Sequence, residues 1–314
     1  MSESIKHIVL SLQDKTGNYS RHIGVVMASI IANTHSTICF HIFHDSTLNE
    51  INKLKLKEIC KNGQQCIQFH NIVLPVQENE FNAIKYISMG TLYRLDIANQ
   101  LQGIKKALYL DGDIIVTLDI DEIFSLDIGD ATILAVRDKG VKKNPRLYTL
   151  NIPVKLEKYF NAGVILFDLD KVRKSYNLLQ DCLTIISKYP KDFFTDQSAL
   201  NHYLQDSCVL IDEKFNLFPS FENDDIERKC IWHFAGGGKP WSIRKYKVDM
   251  LYWKYLKLTP WGKNENEVFQ LYSQTVAPLE TALLAYPIGS RKEFFKNVFI
   301  RVFREIKKIY NQVL

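Results

Sequence analysis

The sequence predicts an α/β protein built on a mostly parallel sheet with helices on both faces. Two observations carry that expectation. Strand-like and helix-like segments alternate from the N-terminus onward, the order that produces parallel strands joined by crossover helices. An apolar run near the middle then ends in Asp111-Gly112-Asp113, and ligands of such sheets lie outside the carboxyl ends of the strands.

Residues 7–12 (HIVLSL) form the first predicted strand, followed by a polar loop containing Gly17-Asn18-Tyr19 and a helix over 23–32. Residues 37–44 (TICFHIFH) are a second strand, 49–60 have helical spacing, and 66–72 (CIQFHNI) are a third strand. Over 90–102, Leu92, Leu95, Ile97, Ala98 and Leu101 fall near one helical face. That helix delivers the chain to the strand ending at Asp111. There is no internal repeat and no low-complexity linker. After Trp241 strand-like runs become scarce and the chain turns helical and basic, so residues 1–241 are read as the principal domain and 242–314 as a small helical C-terminal region.

The 314 residues are enough for a substantial core. Forty basic against 35 acidic side chains leave a net charge of only +5, which gives no argument for nucleic acid as a partner. The six cysteines (Cys39, Cys60, Cys66, Cys182, Cys208, Cys230) contain no CxxC pair and no zinc-like grouping, so reduced thiols in a cytoplasmic protein are expected. The N-terminus has no long apolar segment of the signal-peptide kind. No window approaches the roughly 18 consecutive apolar residues of a membrane span. The expectation is a soluble protein, or one attached to a membrane surface.

Four segments can carry chemistry. In Asp111-Gly112-Asp113, alternate residues of an extended strand share a face, so the two carboxylates can converge on one ligand. Gly112 places no side chain between them. Hard oxygen ligands suit Mg²⁺ or Mn²⁺. The competing reading is a polar turn between two strands. In the second segment, His233 at a strand end can complete a metal site. The glycines at 236–238 expose N–H groups for a diphosphate, and Lys239 adds a point charge; the plain alternative is a flexible loop. The third segment places Asn161 beside Ala162-Gly163 at the start of a buried-looking strand. In the fourth, Asp196 can cap a helix from whose first turn Gln197 projects.

The order and spacing of these segments resemble glycosyltransferase family 8, the bacterial retaining enzymes that include lipopolysaccharide galactosyl- and glucosyltransferases. The matching blocks are 87–95 (ISMGTLYRL), 108–116 (LYLDGDIIV), 159–167 (YFNAGVILF), 196–201 (DQSALN) and 233–241 (HFAGGGKPW). The resemblance implies a GT-A, Rossmann-like nucleotide-sugar fold and a UDP-hexose donor. It implies Mn²⁺, with Mg²⁺ as the alternative, held by Asp111, Asp113 and His233. Gly236 and Lys239 would meet the diphosphate, with Gly112 beside the metal. Arg94, Asp138, Asn161 and Asp196 would hold the sugar, and Gln197 would lie beneath its anomeric carbon. Asp14, Asn18 and Tyr19 would frame the uracil. The acceptor implied is an envelope oligosaccharide or a lipid-linked sugar. Some family members carry an acid after the Gln; here Ser198 stands there, so no covalent carboxylate intermediate is available at that place.

Two rivals follow from the same residues. A haloacid-dehalogenase-like phosphatase also uses DxD after an apolar strand, but its motif opens the domain and has Thr or Val where Ile115 stands here. A non-catalytic nucleotide-sugar-binding protein is the other.

Residues 291–314 form a basic amphipathic stretch, with Phe294, Phe295, Val298, Phe299, Val302, Phe303, Ile306, Ile309, Tyr310 and Val313 at helical spacing. Seven Lys or Arg and two acids lie between Arg291 and Lys308. Such a helix suits the surface of an anionic membrane, or docks its stripe on the protein's own core. Deleting residues 291–314 is expected to abolish sedimentation with anionic vesicles while transfer to a soluble acceptor persists; unchanged sedimentation removes the membrane role.

Overall fold

The structure, a computed structural model, describes residues 5–263 apart from 61–62, 77–87, 150–151, 191, 237 and 243–244. The basic tail and Gly237 lie outside the described residues. The principal elements are β1 (Lys6–Leu12), α1 (Tyr19–Asn33), β2 (Ile38–His44), α2 (Glu50–Ile59), β3 (Gln65–Asn71), β4 (Lys106–Leu110), β5 (Ile114–Val116), β6 (Ile133–Arg137), β7 (Phe160–Asp168), β8 (Cys208–Ile211) and β9 (Ile231–His233).

The main sheet has the order β3-β2-β1-β4-β7-β6-β8, and β5 and β9 form a separate two-stranded sheet. Pairs among β3, β2, β1 and β4 are parallel, as is β6–β8, whereas β7 runs antiparallel to both β4 and β6. This is the mixed, largely parallel α/β sheet of a GT-A, Rossmann-like fold. Strands β1 and β2 are apolar over most of their length because both of their faces are covered. Ile8, Leu10, Phe40 and Ile42 pack with Ile23, Val26 and Ile30 of α1 on one face. Val9, Phe43 and Tyr109 pack with Leu95, Val172 and Leu200 on the other. Each such side chain stabilises the fold by about 1.5–3 kcal/mol on burial.

Helix α1 begins four residues before the expected start. Asp14 is the reason: its Oδ1 accepts from the backbone N–H of Tyr19 at 2.7 Å and of Ser20 at 3.3 Å, satisfying donors that a helix start leaves open. Asn52 donates to the other carboxylate oxygen at 2.9 Å. The single helix expected over 90–102 is instead three short pieces, Met89–Leu92, a 3₁₀ turn Tyr93–Asp96, and Ile97–Gln100. The tightened middle turn carries Arg94, whose Nε donates to Thr91 O at 2.9 Å. The side chain is thereby aimed back at the sheet.

The expectation of six reduced thiols is corrected at one pair. Cys39 and Cys66 face each other in the β2–β3 register, with Cα atoms 4.5 Å apart, and form a disulfide. Parallel pairing of two strands brought them together, which no local spacing announces. Downstream, the helix Met250–Leu256 adds Leu251, Tyr252 and Leu256 to an apolar cluster with Val25 and Ala28 of α1 and Trp232 of β9.

Asp14→Ala removes three accepted hydrogen bonds from a buried carboxylate. It is expected to lower the free energy of unfolding in urea by about 1–3 kcal/mol.

Candidate active site

Strand β4 ends at Leu110, and Asp111 N–H makes a last bond to Gly163 O of β7 at 2.9 Å. The chain then turns out of the main sheet into β5. Asp111-Gly112-Asp113 therefore occupies a turn, not the face of a continuous strand as the i, i+2 argument supposed. Convergence comes from elsewhere. Strand β5 pairs with β9 in antiparallel register, Ile114 opposite His233, and Phe234 N–H donates to Asp113 O at 2.9 Å.

That pairing sets the His233 imidazole against the turn. Nε2 lies 3.3 Å from Asp113 Oδ1 and 3.8 Å from Asp111 Oδ2. One donor atom from each of the three residues lies within 4.8 Å of the others. A Cβ at Gly163 would stand 2.9 Å from Asp111 Oδ2 and overlap the imidazole, so the glycine of β7 is what leaves room for the cluster. At Gly112 a Cβ would meet the Tyr19 ring at 2.9 Å and Ile23 at 3.0 Å. The space there is filled by α1, a packing reason for glycine separate from ligand approach.

The donor set fits a divalent cation. Two carboxylates and one imidazole offer hard to borderline ligands, and the imidazole is already oriented. His233 Nδ1 is 2.8 Å from Asn216 Oδ1, so Nδ1 carries the proton and Nε2 turns its lone pair to the carboxylates. Asn216 in turn donates to Asn161 Oδ1 at 2.9 Å, and Asn161 donates to Asp138 Oδ2 at 3.1 Å. Gln197 Nε2 donates to the same Asp138 oxygen at 3.1 Å, while its Oε1 accepts from Ala162 N–H at 3.0 Å. A line of hydrogen-bonded side chains, amides joined through the Asp138 carboxylate, thus runs from the candidate metal ligand His233 to Gln197.

Charge is balanced by two cations. Arg94, buried, places Nη2 3.2 Å from Asp111 Oδ1 and Nε 3.0 Å from Asp196 Oδ2, and donates through Nη1 to Ala162 O at 2.5 Å. The Asp196 contact is an ion pair off the N–H direction, since that oxygen accepts no hydrogen bond. Burial pushes the Asp196 carboxyl up to about 6, with Arg94 opposing and Asp111 reinforcing the shift. Burial also penalises the Asp113 carboxylate, but Lys239 outweighs it, joined by His233 when its ring is charged, and holds the group well below its usual range. Lys239 reaches Asp113 directly and donates to Phe234 O at 2.8 Å.

Arg94, Asp111, Asp113, Asp138, Asn161, Asp196, Gln197, His233, Gly236 and Lys239 all line one cavity of about 730 Å³. Gly236 adopts φ +87°, a conformation glycine tolerates at no steric cost. Asp196 is not the cap of its helix: Thr195 holds that position at φ 44°, and Asp196 is the first residue of Asp196–Leu204. A β-branched residue at such an angle is strained, and it sets where Asp196 and Gln197 enter the site.

Asp14, Asn18 and Tyr19 are not brought into this cavity. Asp14 is spent on α1, the Asn18 amide contacts Thr16, and Tyr19 packs over Gly112. Sequence reasoning missed Asn216, and also Tyr109, whose hydroxyl donates to Asp111 Oδ1 at 2.8 Å. It missed the rim of Tyr148, Phe193, Phe194 and Phe218 as well. For Tyr109 a signal existed, two residues before Asp111; for Asn216 there was none. His22 was missed too. It stacks on Trp241 with centroids 3.8 Å apart and lies 2.9 Å from the Tyr252 hydroxyl, with burial lowering its pKa to about 3. The end of the glycine-rich loop is thereby moored to α1.

The sequence model described as glycosyl transferase family 8 matches residues 7–244. The chain belongs to that family. General stress protein A of Bacillus subtilis (strain 168) is 28% identical over 282 residues, spanning 83% of this chain and 96% of that protein. Lipopolysaccharide 1,2-glucosyltransferase of Escherichia coli (strain K12) is 24% identical over 267 residues, 78% of this chain and 76% of the relative. Among solved structures, galactosyltransferase LgtC in complex with donor and acceptor sugar analogs superposes with a TM-score of 0.69 at 23% identity. That match covers 81% of this chain and 96% of the other, a likeness of fold. In this family 8 chain each of the five sequence blocks contributes at least one residue to the cavity, while Asp138 and the aromatic rim come from outside them.

Asn216→Ala leaves His233 Nδ1 without its acceptor. Affinity for Mn²⁺, measured by titration calorimetry, is expected to fall about 10- to 100-fold, with the circular dichroism spectrum unchanged.

Proposed function

We propose that the chain is a metal-dependent retaining glycosyltransferase. It would move a hexose, galactose or glucose, from a UDP-sugar to a cell-envelope oligosaccharide or lipid-linked acceptor and form an α linkage. The observation that carries this reading is the meeting of Asp111, Asp113, His233 and Lys239 with Gln197 and Asp138 in one cavity. Family membership supports the reaction class, and the lipopolysaccharide transferases among the relatives support the acceptor class.

A divalent ion held by Asp111, Asp113 and His233, Mn²⁺ or else Mg²⁺, would neutralise charge growing on the departing diphosphate. Lys239, beside Asp113, supplies a second positive charge to the same oxygens. Arg94 keeps Asp111 and Asp196 in place without itself facing solvent. The Gln197 amide is clamped by Asp138 and Ala162, so its dipole is set before any sugar arrives, which is how preorganised dipoles stabilise developing charge. Ser198, where some relatives have an acid, is fully buried and lies 3.0 Å from the Tyr159 hydroxyl. With no carboxylate there, retention proceeds by same-face substitution through an oxocarbenium-like species, the leaving phosphate serving as base.

The phosphatase reading requires Asp111 as nucleophile. Here its Oδ1 accepts from Tyr109 and pairs with Arg94, while Oδ2 faces His233; the geometry favours a ligand. Among the described residues no helix is long and apolar enough to cross a membrane. We place the chain in the cytoplasm, at the inner face of the membrane through residues 291–314.

The test is UDP release over a panel of UDP-sugars with Mn²⁺ or a chelator. One hexose is expected to dominate, chelation to stop turnover, and Asp113→Ala to lower kcat/KM on the order of 10²–10³-fold. Wild-type turnover without metal overturns the proposal, and donor binding without turnover on any acceptor favours the binding-protein reading.

A further inference from the structure

A second group of metal-ligating side chains lies at the other end of the sheet. His7, Cys39 and Cys66 are each the second residue of β1, β2 and β3, whereas the active-site carboxylates follow the C-terminal end of β4, which runs parallel to β1. His7 stands opposite Cys39 in the β1–β2 register, and His41 follows Cys39 by two residues. Strand alternation therefore puts all three on one face, the face turned away from α1 because Ile8, Leu10 and Phe40 occupy the other.

One donor atom each from His7, Cys39 and His41 lies within 4.8 Å of the other two. His7 Nδ1 is 3.0 Å from His41 Nε2, and His41 Nδ1 is 3.0 Å from His70 Nε2 on β3. Two nitrogens bound to one tetrahedral zinc stand roughly 3.3 Å apart, given bonds of about 2.0–2.1 Å. A shift of a few tenths of an ångström would open the His7–His41 contact to an ion. A neutral imidazole has one lone pair and one N–H, so His41 can aim Nε2 at a metal only by donating Nδ1–H elsewhere. His70 is the acceptor already in place, the arrangement that ordinarily orients metal-binding histidines. His41 is fully buried and His7 partly exposed, so solvent reaches the group from the His7 side. The donors are imidazole and thiolate without a carboxylate, a set that selects zinc-like ions over the hard ions suited to Asp111 and Asp113.

Cys39 makes the group conditional, because in the structure its sulfur is bonded to that of Cys66, and the thiolate is the metal ligand. We propose that His7, Cys39 and His41 form a thiol-dependent site for a borderline divalent ion such as Zn²⁺, with water in the fourth position, opened by reduction of the Cys39–Cys66 bond. Two equivalents of a thiol reductant break that bond; the reductant leaves as its own disulfide, and Cys39 and Cys66 each gain a proton. Ion binding displaces the Cys39 proton. Reoxidation by a disulfide reverses both steps and releases the ion.

Co²⁺ is the probe, added to the full chain after reduction with a phosphine. Thiolate–Co²⁺ coordination gives a near-ultraviolet charge-transfer band that a carboxylate–imidazole site does not produce. One equivalent of Co²⁺ with that band is expected in the reduced protein, and in Cys66→Ser without reduction. The band should be absent from protein oxidised with a disulfide and from Cys39→Ser, and the apparent Kd should rise at least about 10-fold in His7→Gln. Asp113→Ala should leave it unchanged, which separates this site from the catalytic one. Circular dichroism checks the fold of each variant. No band in either the reduced protein or Cys66→Ser, or a band that survives Cys39→Ser, overturns the proposal.

Discussion

The antiparallel pairing of β5 with β9 is the constraint on which the rest of the site depends. It joins residues more than a hundred positions apart, and only because Ile114 lies opposite His233 does the imidazole reach the aspartate turn. The pairing is itself held by burial. Ile115 and Trp232 sit in the cluster built by α1 and the helix Met250–Leu256, so the candidate metal ligands are anchored to the hydrophobic core by the two strands beside them. A three-residue ladder in isolation has little stability. Its packing makes it rigid enough to present ligands.

The second requirement is charge. Asp111, Asp113 and Asp196 crowd a partly desolvated cavity, where like charges repel and burial disfavours each ionised form. Arg94 and Lys239 counter them from opposite sides, Arg94 toward Asp111 and Asp196, Lys239 toward Asp113. Buried ion pairs of this kind add little net stability, because desolvation offsets attraction. Their effect is positional: the guanidinium, fixed by its hydrogen bonds to Thr91 O and Ala162 O, sits between two carboxylates at once.

A third element links the two halves of the site. His233, Asn216, Asn161, Asp138 and Gln197 are joined by successive hydrogen bonds, so the amide beneath the proposed sugar site and the tautomer of the candidate metal-ligating histidine share one set of partners. The irregular stretch of β7 makes this feasible. Ala135 of β6 pairs with Ile165 but Val136 pairs with Asn161, leaving Ala162, Gly163 and Val164 between them. Such irregularities re-aim side chains at sites; here one frees the Ala162 N–H for Gln197 and opens the space at Gly163.

Much of this was legible in the chain itself. Local periodicity determined the first strands and helices within a few residues, because apolar runs and turn residues act over short distances. The five blocks marked many of the polar residues that line the cavity, since each chemical role demands a particular side chain, but not its aromatic rim. Tertiary structure alone decided how they meet. The aspartates lie in a turn, not on a strand face, and converge on His233 only through β5–β9. Asp14 caps α1, because its carboxylate reaches the open N–H groups of Tyr19 and Ser20. Asn216 and the Cys39–Cys66 pair had no local signature, because strand register between distant segments carries no mark in the residues nearby. The sequence determined which chemical groups are present; the pairing of strands decided which of them share a site.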